Sequence, residues 1–292
     1  MRIGTRGSAL ALAQARWVAQ RVGDGVELVT ITTSGDRGAD VADKSRWVSE
    51  LEQALLDDRI DLAVHSAKDV PGELAEGLEL VAIAERADPR DAICGASSLE
   101  ELPPGARIGT SSLRRAAQLR ALREDLVVVA VRGNVDTRLR KLAAGACDAL
   151  VLALAGLQRL GRAAEAGGVL SDLVPAAGQG ALALQARPGT LAPEALARLA
   201  DADAMACVNA ERELVHALGA SCDTPVGAHA RSLGDHHVEL VGWVGLPDGS
   251  AWLRDWVRAD ARDAGAQCAR RMLAAGAGEL LSQASRSAVN ES

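Results

Sequence analysis

The stretch Ala106-Arg107-Ile108-Gly109-Thr110-Ser111-Ser112-Leu113-Arg114-Arg115-Ala116-Ala117-Gln118-Leu119-Arg120-Ala121-Leu122-Arg123 reads as a short strand, Ala106 to Gly109, that turns at once into a helix from Ser112 to about Arg123. The alternation continues with a strand Leu126 to Val131, a helix from about Asn134 to Ala144 and a strand Ala149 to Leu154. Upstream the same rhythm runs through strand Arg2 to Thr5, helix Ser8 to Val22, strand Val26 to Thr32, helix Arg46 to Asp57 and strand Leu62 to His65. Strands alternating with helices predict βαβ units with parallel strands. Two such units in tandem predict a cleft between them, with ligands at the carboxyl ends of the strands. After the turn Ala176 to Gly180 the sequence predicts a strand and then a helix from about Asp203 to Leu218. From Val226 to Val257 the pattern changes to strands joined at Gly234-Asp235 and Pro247-Asp248-Gly249, closed by a helix from about Ala261. The fold class is therefore α/β, with two α/β domains and a smaller C-terminal α+β domain.

The deciding stretch also opens a reversal of charge. The chain carries a formal net charge of −7, yet residues 107 to 141 hold eight arginines and one lysine against three acids. Guanidinium forks fit carboxylates and phosphates two bonds at a time. Thr110, Ser111 and Ser112 lie where a strand feeds a helix, so that free backbone N–H groups and the helix dipole favour an anion there. Gly133-Asn134 repeats the arrangement. Any one of these arginines alone reads as solvated surface; the cluster points to a small polyanion.

Nucleic acid is a poor fit. The isoelectric point is about 5.3, and Phe and Tyr are absent, leaving Trp17, Trp47, Trp243, Trp252 and Trp256 as the bulky rings. The longest apolar runs, near 126–131 and 149–157, fall well short of the roughly 20 residues that span a bilayer. The N-terminus enters a strand pattern at Arg2 without the apolar run and cleavage site of a signal peptide, and a cytoplasmic location is expected. Cys94, Cys147, Cys207, Cys222 and Cys268 have no metal-knuckle spacing, so free thiols and no metal are expected.

Two short constellations can carry chemistry. His65-Ser66-Ala67-Lys68-Asp69-Val70-Pro71 sets a cation beside a carboxylate at the exit of an apolar strand. The plain reading is a surface ion pair worth under about 1 kcal/mol; the functional one has Asp69 steadying a developing positive charge while Lys68 meets an anion. Cys222 lies in the small-residue turn Gly219 to Gly227, more accessible than a core cysteine, although free cysteines are more often buried and inert.

With Arg2 to Ser8, His65 to Pro71, Ile108 to Arg115, Val131 to Leu139, Ala155 to Gly161, Gly178-Gln179-Gly180 and the Cys222 turn, the chain closely resembles the porphobilinogen deaminase (hydroxymethylbilane synthase) family over nearly its whole length. The resemblance implies two domains of the type II periplasmic-binding-protein kind, domain 1 from 1–86 plus about 180–200 and domain 2 from 87–179, with domain 3 from 201–292. It implies a dipyrromethane cofactor in thioether linkage to Cys222, porphobilinogen as substrate and a monomer. Four porphobilinogen molecules would be condensed head to tail with loss of ammonia. By motif position Asp69 would be catalytic. Arg6, Lys68, Arg114, Arg115, Arg132, Arg138 and Arg159 would bind carboxylates, with Ser8, Ser66, Thr110, Ser111, Ser112 and Gln179 as neutral partners. Trp47 is a candidate lid residue.

Three departures stand out. The lid segment ends Asp43-Lys44-Ser45-Arg46-Trp47 where the family usually has a glycine-rich run and Phe. Ser221 replaces a common Gly. Asp136 sits inside the arginine motif, either orienting Arg138 or facing water. Arg107, Arg120, Arg123 and Arg140 match no ligand position and are expected to be solvated surface. The same architecture also serves non-catalytic solute receptors and regulator domains; no signal peptide or DNA-reading domain is evident to favour them.

Overall fold

The computed structural model describes residues 1–33, 48–220 and 224–290. Strands β1 (Arg2–Arg6), β2 (Glu27–Ile31), β3 (Leu62–Ser66) and β4 (Glu79–Ile83) alternate with helices α1 (Ala9–Val22) and α2 (Ser49–Leu56). The chain then crosses to β5 (Asp91–Cys94), β6 (Arg107–Gly109), α3 (Leu113–Leu122), β7 (Val127–Val129), α4 (Val135–Ala143), β8 (Ala149–Ala153), α5 (Leu154–Arg159) and β9 (Gly168–Leu170). It returns for β10 (Leu182–Ala186) and α6 (Pro193–Leu199). Helix α7 (Ala202–Ala217), strands β11 (Val226–Gly234), β12 (His237–Gly245) and β13 (Trp252–Asp260), and helices α8 (Ala261–Ala274) and α9 (Ala277–Asn290) complete it.

The first sheet has the order β2-β1-β3-β10-β4 and the second β7-β6-β8-β5-β9. These are the same topology twice, with β1–β2, β1–β3, β6–β7 and β6–β8 parallel as the βαβ pattern predicts and one further strand inserted in each sheet. In each sheet the fourth strand runs against the rest: β10 is antiparallel to β3 and β4, and β5 to β8 and β9. Both inserted strands are the first that the chain forms after crossing between the sheets. That exchange ties the two units by two adjacent chain segments, 84–90 and 171–181.

Glycine permits the two crossings to touch. A Cβ on Gly180, at φ +87°, would lie 2.4 Å from the carbonyl oxygen of Ala87, and one on Gly178, at φ +73°, would lie 2.9 Å from the backbone of Ala67. Ala87 N–H donates to Gly180 O at 3.1 Å across the junction.

Helices begin where the sequence supplies side-chain caps. Ser8 accepts from Ala11 N–H, Ser112 from Arg115 N–H, Asn134 from Thr137 N–H and Asp201 from Ala204 N–H. The first core is aliphatic, with Ile3, Val18, Leu62 and Leu184 fully or nearly fully buried, and the second centres on Ile93, Ile108, Leu119 and Val151. The third sheet, an antiparallel meander β11-β12-β13, buries Leu240, Val244 and Val257 against α7 and α8. Trp243 is buried with Ala117 and Val174, joining this sheet to α3, whereas Trp252 and Trp256 are more than half exposed.

Candidate active site

The carboxyl ends of β1, β3, β6 and β8 deliver Arg6, the Ser66–Asp69 segment, Thr110–Ser112 and, through α5, Arg159. Asp69 ends a 3-10 turn, Ala67–Asp69, that follows β3 directly. Lys68 donates from Nζ to Gln179 Oε1 at 3.4 Å. Burial, together with the nearby Arg115, pushes the Lys68 ammonium down to about 8, against the opposing pull of Asp69 and Asp91. Arg138 lies within electrostatic reach of Arg115 and Asp69, and its desolvation and Arg115 lower its pKa. Its Nε donates to Gly133 O at 2.7 Å. Arg159 donates from Nη2 to Gly180 O at 2.6 Å, and burial pushes it down to about 10.

Arg114 and Arg115 are buried at 5% exposure, on the first turn of α3. One carboxylate holds both: Arg114 Nη2 donates to Asp91 Oδ2 at 2.8 Å and Arg115 Nη2 to Asp91 Oδ1 at 2.7 Å. Burial alone would raise the Asp91 pKa, but the two guanidiniums more than reverse this and hold it well below the usual carboxylate range. Their remaining terminal nitrogens donate to Val174 O and Val151 O. Arg114 Nε and Arg115 Nε are buried and have no hydrogen-bond partner among the described residues. One carboxylate against two guanidiniums leaves a local surplus of positive charge.

Gln179 joins the groups of the two units. Its Nε2 donates to Asp91 Oδ1 at 2.7 Å and to Pro89 O at 2.6 Å, while its Oε1 accepts from Lys68. The neutral donors are fixed locally. Ser66 Oγ accepts from Gln14 Nε2 at 2.9 Å, and Thr110 Oγ1 accepts from Ser112 N–H at 3.2 Å. As caps, Ser8 and Ser112 use an oxygen lone pair and keep the hydroxyl hydrogen for another acceptor. Ser111 and Arg132 are exposed. Cys222, Ser221, Trp47 and the lid segment lie outside the described residues.

Several arginine expectations need correction. Arg120 is not simple surface: its Nη1 donates to Pro247 O at 2.6 Å, strapping α3 to the β12–β13 hairpin. Arg123 clamps Leu99 O and Leu102 O and pairs with Asp125. Arg107 pairs with Asp148 and stays half exposed, and Arg140 is exposed with Thr137 Oγ1 as its acceptor. Asp136 serves Arg162 at 2.7 Å rather than orienting Arg138 or merely facing water.

Sequence reading missed Asp91, Arg86, Glu211 and Arg212. Asp91 opens an apolar strand, a position where a carboxylate must be compensated. Glu211 is fully buried on α7, where Arg86 grips it at 2.7 and 3.1 Å and the N–H groups of Gly178 and Ala230 donate to it. A lone acid on the apolar face of a helix was the available signal. His65 is buried beneath the site, bonded through Nε2 to Gln185 Oε1 at 3.0 Å, and desolvation pushes it down to about 4.

The solved structure of immunogenic lipoprotein A from Vibrio vulnificus is similar at a TM-score of 0.44, 14% identity, 68% of this chain and 92% of its own. That of the methionine binding protein MetQ gives 0.43, 15%, 68% and 87%. Among curated proteins, porphobilinogen deaminase of Deinococcus radiodurans is 45% identical over 96% of this chain and 97% of its own length, and that of Thiobacillus denitrificans 47% over 96% and 97%. That of Thermus thermophilus is 45% identical over 96% and 98%. Residues 1–193 match the family described as porphobilinogen deaminase, dipyromethane cofactor binding domain, and residues 205–274 match porphobilinogen deaminase, C-terminal domain. With two matched regions in the family's order and relatives aligned from end to end, the chain belongs to the porphobilinogen deaminase family.

Proposed function

We propose that the chain is a transferase that condenses four porphobilinogen molecules head to tail into hydroxymethylbilane, releasing ammonia, on a covalently bound dipyrromethane primer, in tetrapyrrole (heme) biosynthesis. The observation that carries the reading within the fold is the hydrogen-bonded chain in which Gln179 ties Lys68, the neighbour of Asp69, to Asp91 and its two arginines, in a chain matched to this family over nearly its whole length. We take 1–86 with about 180–200, 87–179 and 201–292 as its three domains; the three sheets support that division.

The residues present suit a polycarboxylate pyrrole chain. Buried guanidinium Nε donors without partners, a surplus of positive charge and cations lowered by burial all gain from an incoming carboxylate. We assign Cys222 as the attachment point of the dipyrromethane, which supplies a nucleophilic pyrrole carbon when bound. Arg6, Lys68, Arg114, Arg115, Arg132, Arg138 and Arg159 are assigned to acetate and propionate groups, with Ser8, Ser66, Thr110, Ser111, Ser112 and Gln179 as neutral partners and Trp47 as a lid residue.

Asp69 has the catalytic part. Departure of ammonia from the substrate's aminomethyl group leaves a cation shared with the pyrrole nitrogen, and a carboxylate near that N–H stabilises it. The same carboxylate can take the proton that the attacking ring carbon must lose. Lys68, one residue earlier, meets the substrate's carboxylate and sets its distance from Asp69.

A monomer acting in the cytoplasm completes the reading. The buried free thiols Cys94, Cys147, Cys207 and Cys268 suit a reducing compartment, and no described helix is long and apolar enough to cross a membrane. Intact-mass measurement of the purified protein tests the primer: active protein with an unmodified Cys222 thiol refutes it. Asp69→Asn is expected to fold and to lose about 10²- to 10⁴-fold in ammonia release; near-normal turnover removes Asp69 from its role.

A further inference from the structure

We propose that Arg212 is a positioning residue: from α7 it fixes the Val70-Pro71-Gly72 segment, and through it Asp69, relative to the helix that leads toward the Cys222 turn. The proposal rests on Asp69 having the catalytic role given above.

The guanidinium of Arg212 gathers three successive carbonyls. Nη1 donates to Val70 O at 3.1 Å, and Nη2 donates to Pro71 O at 2.7 Å and Gly72 O at 3.2 Å. Pro71 has no N–H, so its own amide gives this stretch no donor with which to join a strand ladder or a helix. Its hold comes from the carbonyl side, and a planar fork of donors is the group that can gather carbonyls converging from one bend. Carbonyl oxygens are neutral, so the contact orients backbone without cancelling charge near the cleft.

The other side of the segment is held as well. Val70 N–H donates to Ala67 O, closing the turn that presents Asp69. Gly178 lies against Ala67 so closely that a Cβ there would meet the backbone at 2.9 Å. Gly178 N–H in turn donates to Glu211 Oε2 at 2.7 Å. Glu211 and Arg212 are neighbours on α7, so one turn of a sixteen-residue helix holds the Asp69 segment through Arg212 and the glycine packed against Ala67 through Glu211. Glu211 is itself immobilised by the Arg86 fork and by Ala230 N–H at 2.6 Å. Helix α7 continues to Ala217, five residues before Cys222. Arg212 is thus the direct contact of this helix with the loop that follows Asp69.

A structural stitch between α7 and the first sheet would predict a loss of stability alone. Positioning predicts a loss confined to the chemical step. The test compares wild type, Arg212→Met, Arg212→Lys and, as a control stitch remote from Asp69, Arg120→Met. Each is assayed for primer loading by intact mass, melting temperature, kcat and KM for ammonia release, and hydrogen exchange of the peptide spanning 67–74. Arg212→Met is expected to load the primer, keep KM within about twofold and lose about tenfold or more in kcat, with faster exchange in 67–74. Arg212→Lys, which retains a rotatable donor, should recover part of both. Arg120→Met should lower the melting temperature while leaving kcat and the 67–74 exchange unchanged. Unchanged 67–74 exchange or an unchanged kcat in folded, loaded Arg212→Met overturns the proposal, as does an equal kcat loss in Arg120→Met. If Arg212→Met does not fold, Arg212→Lys decides by the same two readouts. Wild-type protein that released no ammonia would instead count against the enzymatic reading, and the exchange comparison would still decide what Arg212 holds.

Discussion

Replacing Asp91 by Asn probes the center of the cationic wall. The carboxylate is fully buried and accepts from Arg114 Nη2 at 2.8 Å, Arg115 Nη2 at 2.7 Å and Gln179 Nε2 at 2.7 Å. An amide of the same shape keeps one acceptor oxygen and turns an NH2 group toward a donor that formerly had an oxygen. Two guanidiniums, each about 5% exposed, would then face each other without a counter-charge. Removing one partner of a buried ion pair costs about 3–5 kcal/mol, because the charge left behind stays desolvated. The loss is larger than a neutral hydrogen bond, about 1 kcal/mol, would give. Urea unfolding of Asp91→Asn near neutral pH, followed by fluorescence of the buried Trp243, is expected to show a loss of about that size with an unchanged slope. The sign of the pH dependence follows from the depressed Asp91 pKa: the pair's contribution is present above the ordinary carboxylate value and disappears as pH falls through the folded one. The gap between wild type and variant should therefore narrow in acid. A variant within about 1 kcal/mol of wild type at neutral pH would refute the buried-pair account.

Two further outcomes follow from shifted groups. Lys68 is neutral above about 8, so KM for porphobilinogen should climb as pH passes that value, by up to about tenfold per pH unit; Lys68→Arg should flatten the climb, and an identical inflection in that variant would mean another group titrates. His65 has a folded value of about 4 against an ordinary 6.5. The unfolded chain therefore binds more protons between those limits, so stability should rise with pH across that window by roughly 3 kcal/mol. Urea midpoints at both ends of the window measure the rise, and a His65→Gln variant with the same rise would assign it elsewhere.

The sequence made the elements legible wherever local chemistry sets them. Ser8, Ser112 and Asn134 announce their helices because a side-chain oxygen satisfies a free N–H, and Gly234 with Pro247-Asp248-Gly249 marks the meander turns. What it could not show was the antiparallel insertion of β10 into the first sheet and of β5 into the second. Alternation of apolar residues gives a strand's faces but not its partner or direction. The same limit hid Asp91 and Glu211, whose partners lie 23, 24 and 125 residues away in sequence. Motif position marks Arg114 and Arg115 as expected carboxylate binders; that one buried carboxylate already holds both is a tertiary fact.

The nature of each arginine's partner sorts the cationic run more finely than its position does. Arg107 and Arg123 are matched by Asp148 and Asp125, and Arg162 by Asp136 and Glu165, so their charge is largely cancelled where it stands. Arg138 and Arg159 are instead held by the backbone carbonyls of Gly133 and Gly180. A carbonyl fixes the direction of a guanidinium yet leaves its full charge, and burial makes that charge costly until an anion arrives. Arg115 combines both devices, with Val151 O and a share of Asp91. Donors aimed this way before a ligand enters leave less ordering to be done on binding. Acids cancel Arg107, Arg123 and Arg162, whereas neutral oxygens orient Arg138 and Arg159. Arg120, held by Pro247 O, shows that the carbonyl device alone is insufficient, for it lies against the β12–β13 hairpin and away from the strand ends. Carbonyl anchoring and placement at the carboxyl ends of the parallel strands have to coincide, and in Arg138 and Arg159 they do.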